Sequence, residues 1–193
     1  GVSSNVRPLG IYVSGAELQN EGVARVLDNL AGRAGATAVA CNPHVAAPAP
    51  DGVGRFQPPP DAGASVRLLE RPLWGRSSLW VQSAPAFAPR TEFYAQSSYR
   101  PQPATPLTAE AGAVIGACVW AARSAGLRVS TQFPAATPPG LQPTDEPLLP
   151  DGRRPERMAA TGSLAAPDIR AWNHAALRDV LTDIARYTDR DIV

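Results

Sequence analysis

The chain has 193 residues, 44% of them hydrophobic, and 18 basic against 17 acidic residues leave a formal net charge of +1. That is about one domain on the usual scale of roughly 100–200 residues, with enough apolar content for a true core. The even balance excludes the basic stripe of a nucleic-acid binder, and no run approaches the roughly 20 apolar residues of a membrane span.

All 18 basic residues are Arg, which removes Schiff-base, P-loop and other lysine chemistry. Two cysteines, Cys41 and Cys118, and two histidines, His44 and His174, are too few for a zinc finger or a disulfide scaffold. The 21 prolines and 16 glycines predict long irregular connections.

In chain order, LGIYVSG (9–15) reads as a short buried strand closed by Gly15. Ser14 stands three residues before Glu17, the spacing of a capping box. A helix over 16–34 follows, with an apolar face at Leu18, Val23, Val26, Leu27 and Leu30, and it stops near Gly35. ATAVACNP (36–43) is a second buried strand, punctuated by Asn42-Pro43. From 44 to 107 no period persists. SLWVQ (78–82) reads as a short extra strand, and the rest as a long loop rich in aromatics. Regularity returns with a cap at Thr108 and a helix to 125 whose stripe is Val114, Ile115, Cys118, Val119 and Ala122. LRVSTQF (127–133) is a third strand, a Pro-rich loop covers 134–167, and a last helix over 168–187 turns Ile169, Trp172, Ala176, Leu177, Val180, Leu181 and Ile184 inward. RDIV at the C-terminus reads as the start of a fourth strand.

This order predicts an α/β fold with a parallel sheet. The long excursions all leave the C-terminal ends of strands, and the returns from helix to strand are tight, as in a TIM barrel. The first strand-to-helix turn, VSGAE, lacks the glycine fingerprint of dinucleotide binding. A whole barrel takes about 250 residues, so these (β/α) units make about half of a TIM-type barrel. On that reading Ile11, Val13, Val39, Cys41 and Val129 face an unfilled interior, and the chain pairs through its open sheet edge, joins a missing C-terminal half-barrel, or folds its long loops over the gap.

Four segments carry a resemblance: LGIYVSGAELQNEGVARVLDNLAGRAGATAVACNPHV, FYAQSSYRPQP, LRVSTQFPAATPPG and LPDGRRPERMAATGSLAAPDIRAW. Together they resemble the N-terminal half of glycoside-hydrolase-like TIM-barrel proteins. The resemblance implies a barrel that binds or acts on carbohydrate. Such proteins continue into a strand that offers a carboxylate to the site, whereas this sequence ends at Asp191-Ile192-Val193. It therefore reads as catalytically incomplete.

The candidate binding residues follow from where strands end. Asn42 and His44 close the second strand, where an amide pairs with a hydroxyl and an imidazole takes or gives a proton; the alternative is a simple Asn-Pro turn. Gln132, with Phe133 beside it, closes the third strand, and Phe133 reads equally well as core. Tyr94, Tyr99 and Arg100, with Trp74 and Trp80 upstream, form either a ligand platform or a small core that pins the long loop. No carboxylate pair stands out for glycoside hydrolysis: the capping box claims Glu17, Asp191 begins a strand, and Asp145, Glu146, Asp151 and Glu156 read as solvated loop charge. No spacing matches a metal site, and no cofactor is implied.

The expected partners are thus a carbohydrate ligand, and a second copy or the missing half-barrel, with no nucleic acid and no membrane. The alternative function is a non-catalytic half-barrel interaction module. The chain opens on Gly1 rather than Met, as a processed or engineered N-terminus does, so a cytoplasmic and an exported chain both fit.

Overall fold

A computed structural model describes residues 7–59, 67–133, 150–152 and 167–188. The chain divides into two compact units, the first of Gly1–Phe87, Ala104–Gln132 and Tyr187–Val193, the second of Ala88–Pro103 and Phe133–Arg186. The expected strand at RDIV and most of the Pro-rich loop lie outside the described residues.

The first unit is mixed α/β. It runs β1 (Gly10–Val13), α1 (Gly15–Glu21), α2 (Val23–Leu27), β2 (Ala38–Cys41), β3 (His44–Pro48), β4 (Arg55–Gln57), β5 (Leu79–Pro85), α3 (Pro106–Ala111), α4 (Ala113–Ser124) and β6 (Arg128–Thr131). Strands β1, β2 and β6 form a parallel sheet in the order β1-β2-β6. The rows run from Gly10–Ala38–Arg128 to Val13–Cys41–Thr131, so all three strands end at one edge. These are the three strands that the sequence predicts.

The helices are less regular than their periodicity suggests. The expected single helix over 16–34 breaks at Gly22, whose φ of 84° lies in the left-handed region, where glycine carries no Cβ penalty. Wide π-type turns over Asp28–Arg33 replace its last third. The cap of the third helix is Thr105 rather than Thr108. Pro106 follows at the first helical position, which needs no N–H, and Thr108 accepts from the Thr105 N–H at 3.1 Å.

The stretch 44–107 departs most from expectation. Three strands there form an antiparallel sheet in the order β3-β5-β4, with His44 opposite Pro85 and Pro48 opposite Val81. The expected strand at 78–82 is β5, and it extends to Pro85. HVAAP carries no polar–apolar alternation, and its proline falls on an outer strand's end, where a missing N–H is tolerated. That is why it reads as loop.

The sheet faces also need correcting. Val13, Val39 and Cys41 are at most 3% exposed and belong to the core with Leu18, Val26, Ile115, Cys118 and Val119 of the helices. Ile11 and Val129 share their face and are half-buried. The apolar set assigned to an unfilled interior is therefore the helix-covered side. The opposite face carries Gly10, Tyr12, Ala38, Ala40, Arg128 and Ser130, exposed or half-exposed.

In the second unit, a tight turn at Thr91–Tyr94 and helix α5 (Pro167–Thr188) build a core of Tyr94, Trp172, Ala175 and Ala176, against which Phe93, Tyr99 and Phe133 pack. Ile169, Trp172, Ala176 and Val180 are buried as the period predicts. Leu177 and Leu181 are exposed instead, and Asp179 and Asp183 take their place inside. The buried stripe runs through 172, 176, 179 and 183, at helical spacing, and the two leucines lie to one side of it.

Candidate functional site

The parallel strands set the site. Asn42 directly follows β2 and Gln132 directly follows β6, and the Gln132 N–H donates to the Cys41 carbonyl at 2.9 Å, carrying the ladder one residue past the strands. Both amides therefore sit at the C-terminal edge of the same sheet.

His44 joins them through its side chain. Its Nδ1 lies 3.1 Å from Asn42 Oδ1. An amide oxygen only accepts, so Nδ1 carries the proton and Nε2 keeps its lone pair. Burial holds the His44 pKa below the ordinary value of 6.5, so the ring is neutral at neutral pH.

Local packing fixes this histidine from behind. The first residue of α1, Gly15, sits so close to the start of β3 that an added Cβ would collide with the His44 carbonyl oxygen. The Gln19 side chain then grips the Ala46 backbone on both sides: Nε2 donates to the carbonyl and Oε1 accepts from the N–H, each at 2.8 Å. The capping box forms as the sequence predicts. Ser14 Oγ accepts from the Glu17 N–H at 3.2 Å, and Glu17 Oε2 accepts from the Ser14 N–H at 3.0 Å.

The other candidates, Tyr94, Tyr99 and Arg100, lie in the second unit. Tyr94 is 4% exposed and donates its hydroxyl to Asp179 Oδ2 at 3.1 Å. The same carboxylate accepts from the Arg90 N–H and from Arg90 Nη1, the latter at 3.0 Å. Burial, then the Asp179 charge, pushes the Tyr94 pKa up. Arg100 Nη1 donates to the carbonyls of Tyr94, Ser97 and Tyr99, closing the turn beneath them. Tyr99 and Phe133 pack on the Trp172 cluster. Trp80 meets Phe56 edge-to-face at 5.6 Å, and the Trp74 N–H donates to Asn20 Oδ1; both belong to the first unit.

Two features escape the sequence reading. Tyr12, 49% exposed, and Ser130 stand on the open face of the parallel sheet; strict alternation along LGIYVSG and LRVSTQF separates them from Val13 and Val129 and is the signal that finds them. Asp179 is the other, and its helical spacing reads as an ordinary surface position.

The chemistry available at the edge is hydrogen bonding by two amides, with one neutral imidazole whose Nε2 accepts. Cys41 and Cys118 are buried free thiols whose pKa values burial raises to about 11 and about 12, so they stay protonated and unreactive. Among the described residues no group of three or more His, Cys, Asp or Glu is placed to hold a metal, and no helix is long and apolar enough to cross a membrane. Asp145, Glu146, Glu156 and Asp191 lie outside the described residues. Comparison with protein-family models, with curated proteins and with solved structures finds no match to this chain.

Proposed function

We propose that the chain is part of a glycoside-hydrolase-like (β/α) barrel, about half of one, that binds carbohydrate at the C-terminal edge of its parallel strands. The observation that carries this reading is the convergence of Asn42, His44 and Gln132 on one edge of a sequentially ordered parallel sheet, the place where barrel folds build their sites. Two amides and a neutral imidazole suit hydroxyl groups, which both donate and accept. The test is calorimetric titration with a panel of soluble oligosaccharides (maltohexaose, cellohexaose, xylohexaose and chitohexaose). At least one is expected to bind, and Asn42→Ala and Gln132→Ala each to weaken it about five- to tenfold. Failure of all four to bind refutes the proposal.

A second reading is favoured by the sheet itself. Among the described residues β1 and β6 each pair on one side only, and unpaired edges recruit other strands. On this reading the chain is an interaction module that adds a copy of itself or further strands at β6. Sedimentation equilibrium separates the two: a 20.2 kDa species contradicts self-pairing, and a dimer abolished by Val129→Pro supports it.

A further inference from the structure

The face of the parallel sheet opposite the helices is unspent. The register pairs Tyr12 with Ala40 and Ala40 with Ser130, so the three strands present one row across the sheet. One rung on, alternation brings Asn42 and Gln132 to the same face. With strands about 4.8 Å apart, the Tyr12 ring and the Ser130 hydroxyl flank the Ala40 methyl across roughly 10 Å.

Three properties narrow what this row fits. Tyr12 is half exposed beside a side chain of one carbon, so its ring has an open shelf next to it. The polar groups of Tyr12, Ser130 and Gln132 make no side-chain hydrogen bond among the described residues, and they supply both donors and acceptors. The fixed charges nearest the face are Arg128, on the opposite rung with Gly10 and Ala38, and the Glu17 carboxylate, which accepts from the Ser14 N–H at the end of β1. An anionic ligand finds no counter-charge at the strand ends, and an apolar partner would strand two hydroxyls and the Gln132 amide without partners. A neutral ring with an apolar face and a polar rim satisfies all three.

We infer that the open sheet face is the floor of the carbohydrate site, with the Tyr12 ring stacked on a sugar and with Ser130 and Gln132 bonded to its hydroxyls. This rests on the carbohydrate reading above and extends it to residues on the sheet itself.

The test repeats the oligosaccharide titrations with Tyr12→Ala, Tyr12→Phe and Ala40→Leu, each checked for folding by circular dichroism. Tyr12→Ala is expected to weaken binding about tenfold or more and Tyr12→Phe, which keeps the ring, to stay within about threefold. Ala40→Leu fills the shelf and is expected to abolish binding; it decides the matter if Tyr12→Ala does not fold. Tyr12→Ala and Ala40→Leu binding like the parent overturn the inference while the strand-edge site stands, provided that Asn42→Ala still weakens binding. Equal losses in Tyr12→Phe and Tyr12→Ala overturn stacking. If the parent chain binds none of the four sugars, both the floor and the strand-edge reading fall.

Discussion

Asp179 is 1% exposed, and its carboxylate is saturated by the Arg90 backbone, the Arg90 guanidinium and the Tyr94 hydroxyl. Removing one side of a buried, hydrogen-bonded pair leaves the other charge uncompensated, which costs about 3–5 kcal/mol. Arg90 retains some solvent contact, with its side chain 27% exposed, so Asp179→Ala should fall at about 3 kcal/mol. Urea unfolding measures this; a loss below about 1 kcal/mol would mean that the network is incidental. Gly15 makes a second case. Its Cβ position is occupied by the His44 carbonyl, so Gly15→Ala must push α1 off β3, at a cost of about 1–3 kcal/mol and with a displaced His44 resonance. Neither residue is legible in the sequence. An Asp at helical spacing has the pattern of a solvated face, and a glycine in a capping segment has the pattern of a turn. What distinguishes them is the partner brought from far along the chain, and no local pattern contains it.

At the scale of elements, the three parallel strands were legible because short runs, apolar in β1 and β2 and alternating in β6, closed by Gly or Pro, leave a strand little alternative. The tight returns at Gly35 and Gly126, both at positive φ, supplied their order. The antiparallel strands β3 and β4 were not legible, since HVAAP and RFQ are held by cross-strand pairing to β5 rather than by their own pattern. Helix α3 shows the same limit from the other side. Its start is set by Thr105 and Pro106, about one turn before the expected cap at Thr108. Thr105→Ala should therefore cost about 1 kcal/mol of stability, and Thr108→Ala less, since the N–H it leaves unpaired, that of Thr105, lies outside the helix and is exposed to water. Thermal unfolding of the two variants checks the order, and a larger effect at Thr108 would return the cap to that residue. The candidate site was legible only as strand ends: Asn42, His44 and Gln132 could be placed on an edge, but which sheet face is open depends on where α4 packs.

For the whole molecule, two groups set opposing pH responses. His44, with its folded pKa lowered by burial, contributes stability that is present above about pH 6.5 and is lost as pH falls through its folded pKa. Asp183 runs the other way: burial raises its pKa despite the Arg186 charge, so its contribution is present below the ordinary carboxylate value of 3.8 and is lost as pH rises through the folded one. His44→Gln should accordingly flatten the loss of stability below pH 6.5, by at most about 1.4 kcal/mol per pH unit, and Asp183→Asn should raise the midpoint of thermal unfolding at pH 7. A His44→Gln profile superimposable on the parent's would contradict a buried neutral imidazole. That imidazole and the two amides are the core of the functional proposal, and ligand-induced chemical-shift mapping tests it most directly. Nitrogen-15 spectra recorded through a titration with the tightest-binding oligosaccharide of the panel should show the largest shifts at the Asn42 and Gln132 side-chain amides and at His44 Nε2, with Nδ1 remaining the protonated nitrogen. Shifts confined to the second unit around Tyr94, Tyr99 and Arg100, or no shift at all, would contradict a carbohydrate site at the strand ends.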